Sequence, residues 1–370
     1  MSEQSKPPKP EEYHVTPAQK TASDATAARV QFGAGIRLTI ASEVARLGAA
    51  RALILTTPGR SDVAKEIAAA LGTAAVGTFS KAQMHTPVAV TLEALDYLET
   101  CAADCLIAIG GGSTTGLSKA LAYRTDLPQI IIPTTYAGSE ATPILGQTEG
   151  GVKTTLSDPK VLPEVILYDA ELVVTLPVAL TVTSGLNAMA HAAEALYAPN
   201  RNAGSDALAV QGLAAFVKGL PQVLADTTNL RAREGTLRGA WACGTVLGQV
   251  GMGLHHKLCH TLGGSFDLPH ADTHAIILPH AIAYNARSAA ALLAPICELL
   301  GGDNAGLALY TFAKSLGAPR ALRDLGLKET DLDHATMLAT SKPYPNPHPV
   351  TAPDIRALLQ AAWAGDAPEV

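Results

Sequence analysis

Between Gly253 and His280 the chain reads GLHHKLCHTLGGSFDLPHADTHAIILPH and gathers six of its eleven histidines: His255, His256, His260, His270, His274 and His280. The stretch carries little formal charge, so solubility does not account for so much imidazole. Imidazole is the commonest metal ligand and the side chain whose proton moves near neutral pH. Upstream, Asn187 and His191 are spaced i, i+4, with Glu194 on the following turn; His256 and His260 repeat that spacing, so each pair shares one helix face. His270 follows a Gly-Gly turn and a proline. One such histidine alone is usually a buried, hydrogen-bonded side chain. Two helical faces plus His270 point to a site that binds a divalent cation or gives protons to a reacting oxygen.

A second kind of chemistry is written into Gly110-Gly111-Gly112-Ser113-Thr114, which follows the apolar run CLIAIG and precedes a helical segment. Glycines let backbone approach a phosphate, and the next helix offers free N–H groups and a positive dipole end. The pattern is neither GxGxxG nor a P-loop, because Lys119 lies seven residues after Gly112 without a GK[ST] context. ATP-driven chemistry is therefore disfavoured. Thr134, Thr135, Tyr136 and Ser139 close another strand end and could reach a ribose or nicotinamide amide; alone, such a loop is ordinary.

These residues need a scaffold. From residue 28 to about 168, short apolar runs alternate with Ala-rich helical segments: RALILTT, then SDVAKEIAAALG; AAVGTF, then VAVTLEALDYLETCAA; CLIAIGGGS, then a helix from Thr115 to Tyr123; and QIIIPTT. That alternation predicts a parallel sheet covered on both faces, with ligands beyond the carboxyl ends of its strands. After Leu176-Pro177 the reading is helical, over 188–197, 207–220, 232–250, 254–262, 289–300, 306–316 and 353–362. We expect a polar tail over 1–26, an α/β nucleotide-binding domain over 27–178, and an all-helical catalytic domain over 179–370, with the site in the cleft between the two domains.

Composition narrows the classes further. Apolar residues make up 48% of the 370 and charged residues 16%, a balance suited to a large buried fraction and to burial of further surface in an oligomer. A net charge of −6 argues against general nucleic-acid binding, which needs clustered Lys and Arg. No long uninterrupted apolar run suggests a membrane span, and the start MSEQSKPPKPEEYHV lacks a signal-peptide core, so a cytoplasmic location is expected. The five cysteines are scattered; Cys101 and Cys105 form a C-x3-C without a partner pair, and Cys259 reads as packing.

The blocks GGGSTTGLSKA (110–120), PTTYAGSEATPILGQTEGGVKTT (133–155), DPKVLP (158–163), TSGLNAMAHAAEALYAP (183–199), GMGLHHKLCHTLGGSFDLPHADTHAIILPHAIAYN (251–285) and YPNPHPVT (344–351) resemble the iron-containing alcohol dehydrogenase superfamily, and within it the maleylacetate reductase branch. The resemblance implies a Rossmann-like N-terminal domain, an all-α C-terminal domain, a dimer, and reduction of the C=C bond of a small dicarboxylate, maleylacetate, by NADH or NADPH. Metal-dependent members hold Fe²⁺ or Zn²⁺ with an Asp and three His, and those positions fall here on Asn187, His191, His256 and His270. A neutral amide removes the only anionic ligand, so no essential metal is expected. Metal-dependent relatives also carry Asp where this chain has Gly116. NAD-selective relatives often end the LILTT strand with Asp, whereas Thr57, Pro58, Gly59 and Arg60 stand here, which leaves both nicotinamide cofactors admissible. Within this reading His260 and His270 serve as oxyanion donor and proton source, and His256 and His191 shape the pocket. Lys153, Lys257, Asn187 and Tyr136 contact substrate. The competing readings are a metal-dependent alcohol or polyol dehydrogenase, a dehydroquinate synthase-like lyase, and a non-catalytic nucleotide-binding protein.

Overall fold

A computed structural model describes residues 29–369; the tail expected over 1–26 lies outside them. Strands β1 Arg29–Gly33, β2 Ala52–Leu55, β3 Ala75–Phe79, β4 Cys105–Gly110, β5 Gln129–Pro133 and β8 Val165–Asp169 form one sheet in the order β1-β8-β5-β4-β2-β3, every pairing parallel. β2, β4, β5 and β8 are buried along their whole length, which is why they read as unbroken apolar runs rather than alternating ones. Helices α1 Ile40–Arg46, α2 Ser61–Leu71, α3 Val88–Cys101 and α4 Gly112–Thr125 cover the sheet. Its direction of growth reverses at β2, with β3 on one side and β4 on the other. The crevice for a ligand therefore opens beyond the ends of β2 and β4.

The hairpin β6 Ile144–Glu149 and β7 Val152–Ser157 stands apart from this sheet. Its turn is Gly150-Gly151, both left-handed at φ 55° and 79°, a type of connection that matches strand twist and favours glycine.

The other half is helical: α5 Val178–Ala195, α6 Ala203–Ala225, α7 Leu230–Gln249, α8 Leu254–Phe266, α9 His270–Leu300, α10 Ala305–Ser315, α11 Leu332–Thr340 and α12 Ala352–Ala364. α5 is buried on every side from Thr181 onward, and α6, α7 and α9 pack around it. Its turns of Ala, Gly and Ser let those neighbours approach closely. A boxed cap starts α6: the Asn202 side chain accepts from Ser205 N at 3.1 Å and Ser205 Oγ accepts from Asn202 N at 2.8 Å. Against the expectation of no membrane-length apolar segment, the stretches 203–225 and 270–315 are long and apolar enough to cross a bilayer by length and composition. In the fold both supply apolar side chains to the same core as α5 and α7.

Candidate active site

Buried α5 presents Asn187, His191 and Glu194 in one row toward the start of α8 and of α9. α8 has no capping side chain of its own, since its N-cap is Gly253. Glu194 takes that place from α5. Its Oε1 accepts from His255 N at 2.8 Å and from the Tyr197 hydroxyl at 3.0 Å; its Oε2 accepts from Gly253 N at 3.1 Å and His256 N at 3.3 Å. A carboxylate suits the positive end of a helix.

The same Oε2 lies 2.6 Å from His256 Nδ1. Burial on its own would raise the Glu194 pKa, but the bond from His256, the neighbouring imidazoles and the amide donors together bring it to about 2. An ionised carboxylate only accepts, so the proton of that bond sits on His256 Nδ1. Glu194 thereby fixes the orientation of the ring and directs Nε2 away from itself.

Around His256 the other rings converge. Centroid distances are 5.1 Å to His191, 5.2 Å to His255, 5.2 Å to His274 and 6.0 Å to His260, with His270 at 4.2 Å from His274. His255 Nε2 and His274 Nδ1 are hydrogen-bonded at 3.0 Å. Asn187 Oδ1, His191 Nδ1, His256 Nε2 and His274 Nε2 are buried polar atoms with no hydrogen-bond partner among the described residues. Unpaired polar atoms are costly to bury, and four in one neighbourhood mark a place shaped to receive something polar.

Desolvation, then mutual repulsion among the rings, pushes His191 and His274 well below the ordinary imidazole value and His255 to about 3. These rings are neutral at physiological pH. His260 and His270 sit at the solvent-open rim, and both are also lowered, by desolvation first and then by His256 and Lys153. Lys153 reaches this rim from β7, and His85, in the loop before α3, acts on His270 as well. Helical and α/β halves therefore both contribute to the mouth, with Lys153 coming from the α/β side.

Across the cleft, Gly110 leaves β4 with φ 154°, and a Cβ there would stand 2.2 Å from Thr114 Oγ1. A Cβ on Gly111 would meet Thr135 at 2.9 Å, whereas Gly112 faces open space. No side chain caps the start of α4. The Thr114 and Ser139 hydroxyls are buried without partners. This cradle fits the phosphates of a dinucleotide: bare backbone, a helix N-terminus and unpaired hydroxyls beside it.

Other expected residues fall elsewhere. Tyr136 is fully buried, its hydroxyl accepting from Arg233 Nη1 at 3.1 Å, so it supports the loop rather than meeting a ligand. Arg60 donates to Thr175 Oγ1 at 3.3 Å at the surface, in the turn with Thr57, Pro58 and Gly59 that follows β2. Lys257 is half-buried on α8. Lys119, outside any P-loop, has a structural task. Its buried amine donates to the carbonyls of Ser139 and Thr142 at 2.6 Å and of Ile144 at 3.0 Å, holding the 139–144 loop, and desolvation lowers it to about 7. Gly116 has a steric role: a Cβ would lie 2.2 Å from Thr86 Oγ1, so this contact leaves no room for the Asp of metal-dependent relatives.

Two family models account for most of the chain: iron-containing alcohol dehydrogenase over residues 27–170, and the C-terminal part of the Fe-containing alcohol dehydrogenase family over 181–363. The chain belongs to the iron-containing alcohol dehydrogenase family. It is 58% identical to the maleylacetate reductase of Rhizobium sp. strain MTP-10005 over 342 residues, 92% of this chain and 97% of that one. To the maleylacetate reductase of Sphingobium indicum it is 49% identical, covering 91% and 96% of the two chains. The crystal structure of the Rhizobium protein superposes with a TM-score of 0.90 over 96% of this chain and all of that one. The family is of the nicotinamide-dependent dehydrogenase type, which agrees with the cradle at Gly110–Gly112. Iron does not fit these residues in the manner of metal-dependent family members. The position of the anionic ligand is the neutral Asn187, and the buried carboxylate of Glu194 is committed to His256 Nδ1 and three amides at the start of α8.

Proposed function

We infer that the chain is a maleylacetate reductase: it reduces the C=C bond of maleylacetate to give 3-oxoadipate, with NADH or NADPH as reductant and no essential metal. The observation that carries this reading is the Asn187–His191–His256 pocket, where buried polar atoms without partners among the described residues are ringed by imidazole, with Lys153 acting on the His260 and His270 rings at the rim. The substrate is an enone bearing a carboxylate at each end. Reduced nicotinamide supplies a hydride for the alkene carbon β to the ketone. The electron pair displaced from the double bond then forms an enolate, which has to be stabilised on oxygen and protonated on carbon.

Those two tasks fall to the chain's own residues. Neutral imidazole N–H groups of His260 and His270 hydrogen-bond the developing enolate oxygen, each donor being worth about 3–4 kcal/mol when well aimed. Lys153, which acts on both His260 and His270, supports recognition of a carboxylate at the rim; Asn187 and Lys257 are further substrate contacts. Negative charge arriving at the rim raises the proton affinity of His260 and His270, which turns an idle neutral ring into a proton source after substrate binds. His191 and His256 shape the pocket. Gly110–Ser113 and the hydroxyls of Thr114, Thr134, Thr135 and Ser139 support dinucleotide binding. The reading includes a cytoplasmic homodimer, consistent with five free cysteines.

The test is oxidation of NADH or NADPH on addition of freshly generated maleylacetate, with 3-oxoadipate identified as product. His260→Ala and His270→Ala are each expected to lower kcat by about 100- to 1,000-fold. Near-normal turnover in both variants would remove the histidine assignment, and no oxidation by the wild type would remove the function.

A further inference from the structure

Behind the pocket, His255 and Cys259 stand i, i+4 on α8 and face His274 of α9. All three are buried, at 0%, 1% and 1% exposure, and their donor atoms lie within 4.8 Å of one another. These are not the positions at which metal-dependent family members bind iron or zinc. We propose that His255, Cys259 and His274 form a separate site for a thiophilic divalent cation, zinc or cadmium, and that its occupation inhibits the enzyme.

The argument is geometric first. A tetrahedral zinc ion with ordinary bond lengths separates a nitrogen and a sulfur ligand by about 3.6 Å and two nitrogens by about 3.3 Å. Here Cys259 Sγ lies 3.6 Å from His255 Nε2, and His255 Nε2 lies 3.0 Å from His274 Nδ1. The third pair, Cys259 and His274, lies within 4.8 Å and closes by rotation of the His274 ring. Donor softness comes second, because one thiolate with two imidazoles selects zinc-like ions over hard cations. Charge comes third: burial and the nearby Glu194 push the Cys259 thiol well above its ordinary value, so its thiolate forms only in exchange for the ion, with the ionised Glu194 one residue layer away, accepting from the His255 amide at 2.8 Å. Binding proceeds by exchange of the thiol proton for the metal, so one proton leaves per ion bound. Both rings stay neutral: the proton shared between His255 Nε2 and His274 Nδ1 in the metal-free protein moves to the far nitrogen of its own ring, which leaves His255 Nδ1–H and His274 Nε2–H and frees the facing nitrogens for the ion.

Occupation reaches catalysis through His274. Its ring is 4.2 Å from His270 and 5.2 Å from His256, so drawing it onto an ion shifts two rings of the pocket. Inhibition rests on the reductase reading; metal uptake and proton release do not, and the two can fail separately.

The experiment titrates cadmium into the metal-free full-length protein while following thiolate-to-cadmium ultraviolet absorption, proton release and turnover. We expect absorption that saturates at one equivalent, one proton released, and turnover reduced at least about tenfold, the scale of disturbing the residues that orient a site. Cys259→Ser, and Cys259→Ala as a second variant, are expected to keep metal-free turnover and lose both the absorption and the inhibition. Absence of the band, or a band that persists in both variants, overturns the site. A saturated band with unchanged turnover overturns its inhibitory role.

Discussion

Glu194 performs two tasks with one carboxylate, capping α8 and holding the His256 proton on Nδ1. Partners of this kind orient imidazoles and tune their basicity, and removing them typically costs about 10- to 100-fold in function. Glu194→Gln is isosteric but carries no charge, and its NH₂ group opposes the amides of Gly253, His255 and His256. We expect kcat to fall by about 10- to 100-fold, with a lower melting temperature because α8 loses its cap. Steady-state kinetics beside a thermal melt checks both; unchanged kcat would mean that the ring orientation is set elsewhere. Asn187 is the complementary residue, since a neutral amide in the row where metal-dependent relatives carry a carboxylate changes what the pocket can bind. That substitution was legible in the sequence. The Glu194 bond was not, because residue spacing placed Glu194 near the site without saying which hydrogens it accepts.

The loop after β5 meets α7 through two glycines. Gly138 has φ 76°, and a Cβ on Gly244 would lie 2.2 Å from the Gly138 carbonyl oxygen, which is backbone and has no rotamer to yield. Gly244→Ala is expected to destabilise the protein by about 1–3 kcal/mol and to weaken nicotinamide binding by displacing the Ser139 side of the cradle; unfolding and cofactor titration measure the two effects. Buried strands and their glycine exits were readable because a covered parallel strand is an unbroken apolar run, as in LILTT and CLIAIG. Other elements were less visible. The first half of α9 follows Pro269 and contains His270, Asp272, Thr273 and Pro279, an unpromising helical sequence, and yet it is helical because its face is buried against α5 and α8. The β6–β7 hairpin has an exposed second strand and so lacks an apolar run; Gly150-Gly151 between β-rich flanks was the available signal. α11, nine residues long, was missed as well.

At the scale of the molecule, a parallel sheet brings a dinucleotide cradle to one side of a cleft and a helical half brings imidazoles to the other. Concentrating so many neutral histidines couples stability to pH. His191, His255 and His274 have folded-state values far below 6.5, and burial brings His280 to about 4. In the unfolded chain each binds a proton below about pH 6.5. The unfolded state therefore holds more protons in acid, so stability is complete above about pH 6.5 and falls as pH drops toward 4, by about 1.4 kcal/mol per unit for each such histidine. Denaturant unfolding at pH 7, 6 and 5 is expected to show this steepening loss, and a flat profile would contradict neutral burial.

The central claim is that imidazoles rather than a bound cation stabilise the enolate. It is tested most directly by measuring metal content and maleylacetate turnover on the same chelator-treated sample. Full turnover is expected with far less than one iron or zinc per subunit; turnover that disappears on chelation and returns in proportion to added iron or zinc would mean that a bound cation does this work.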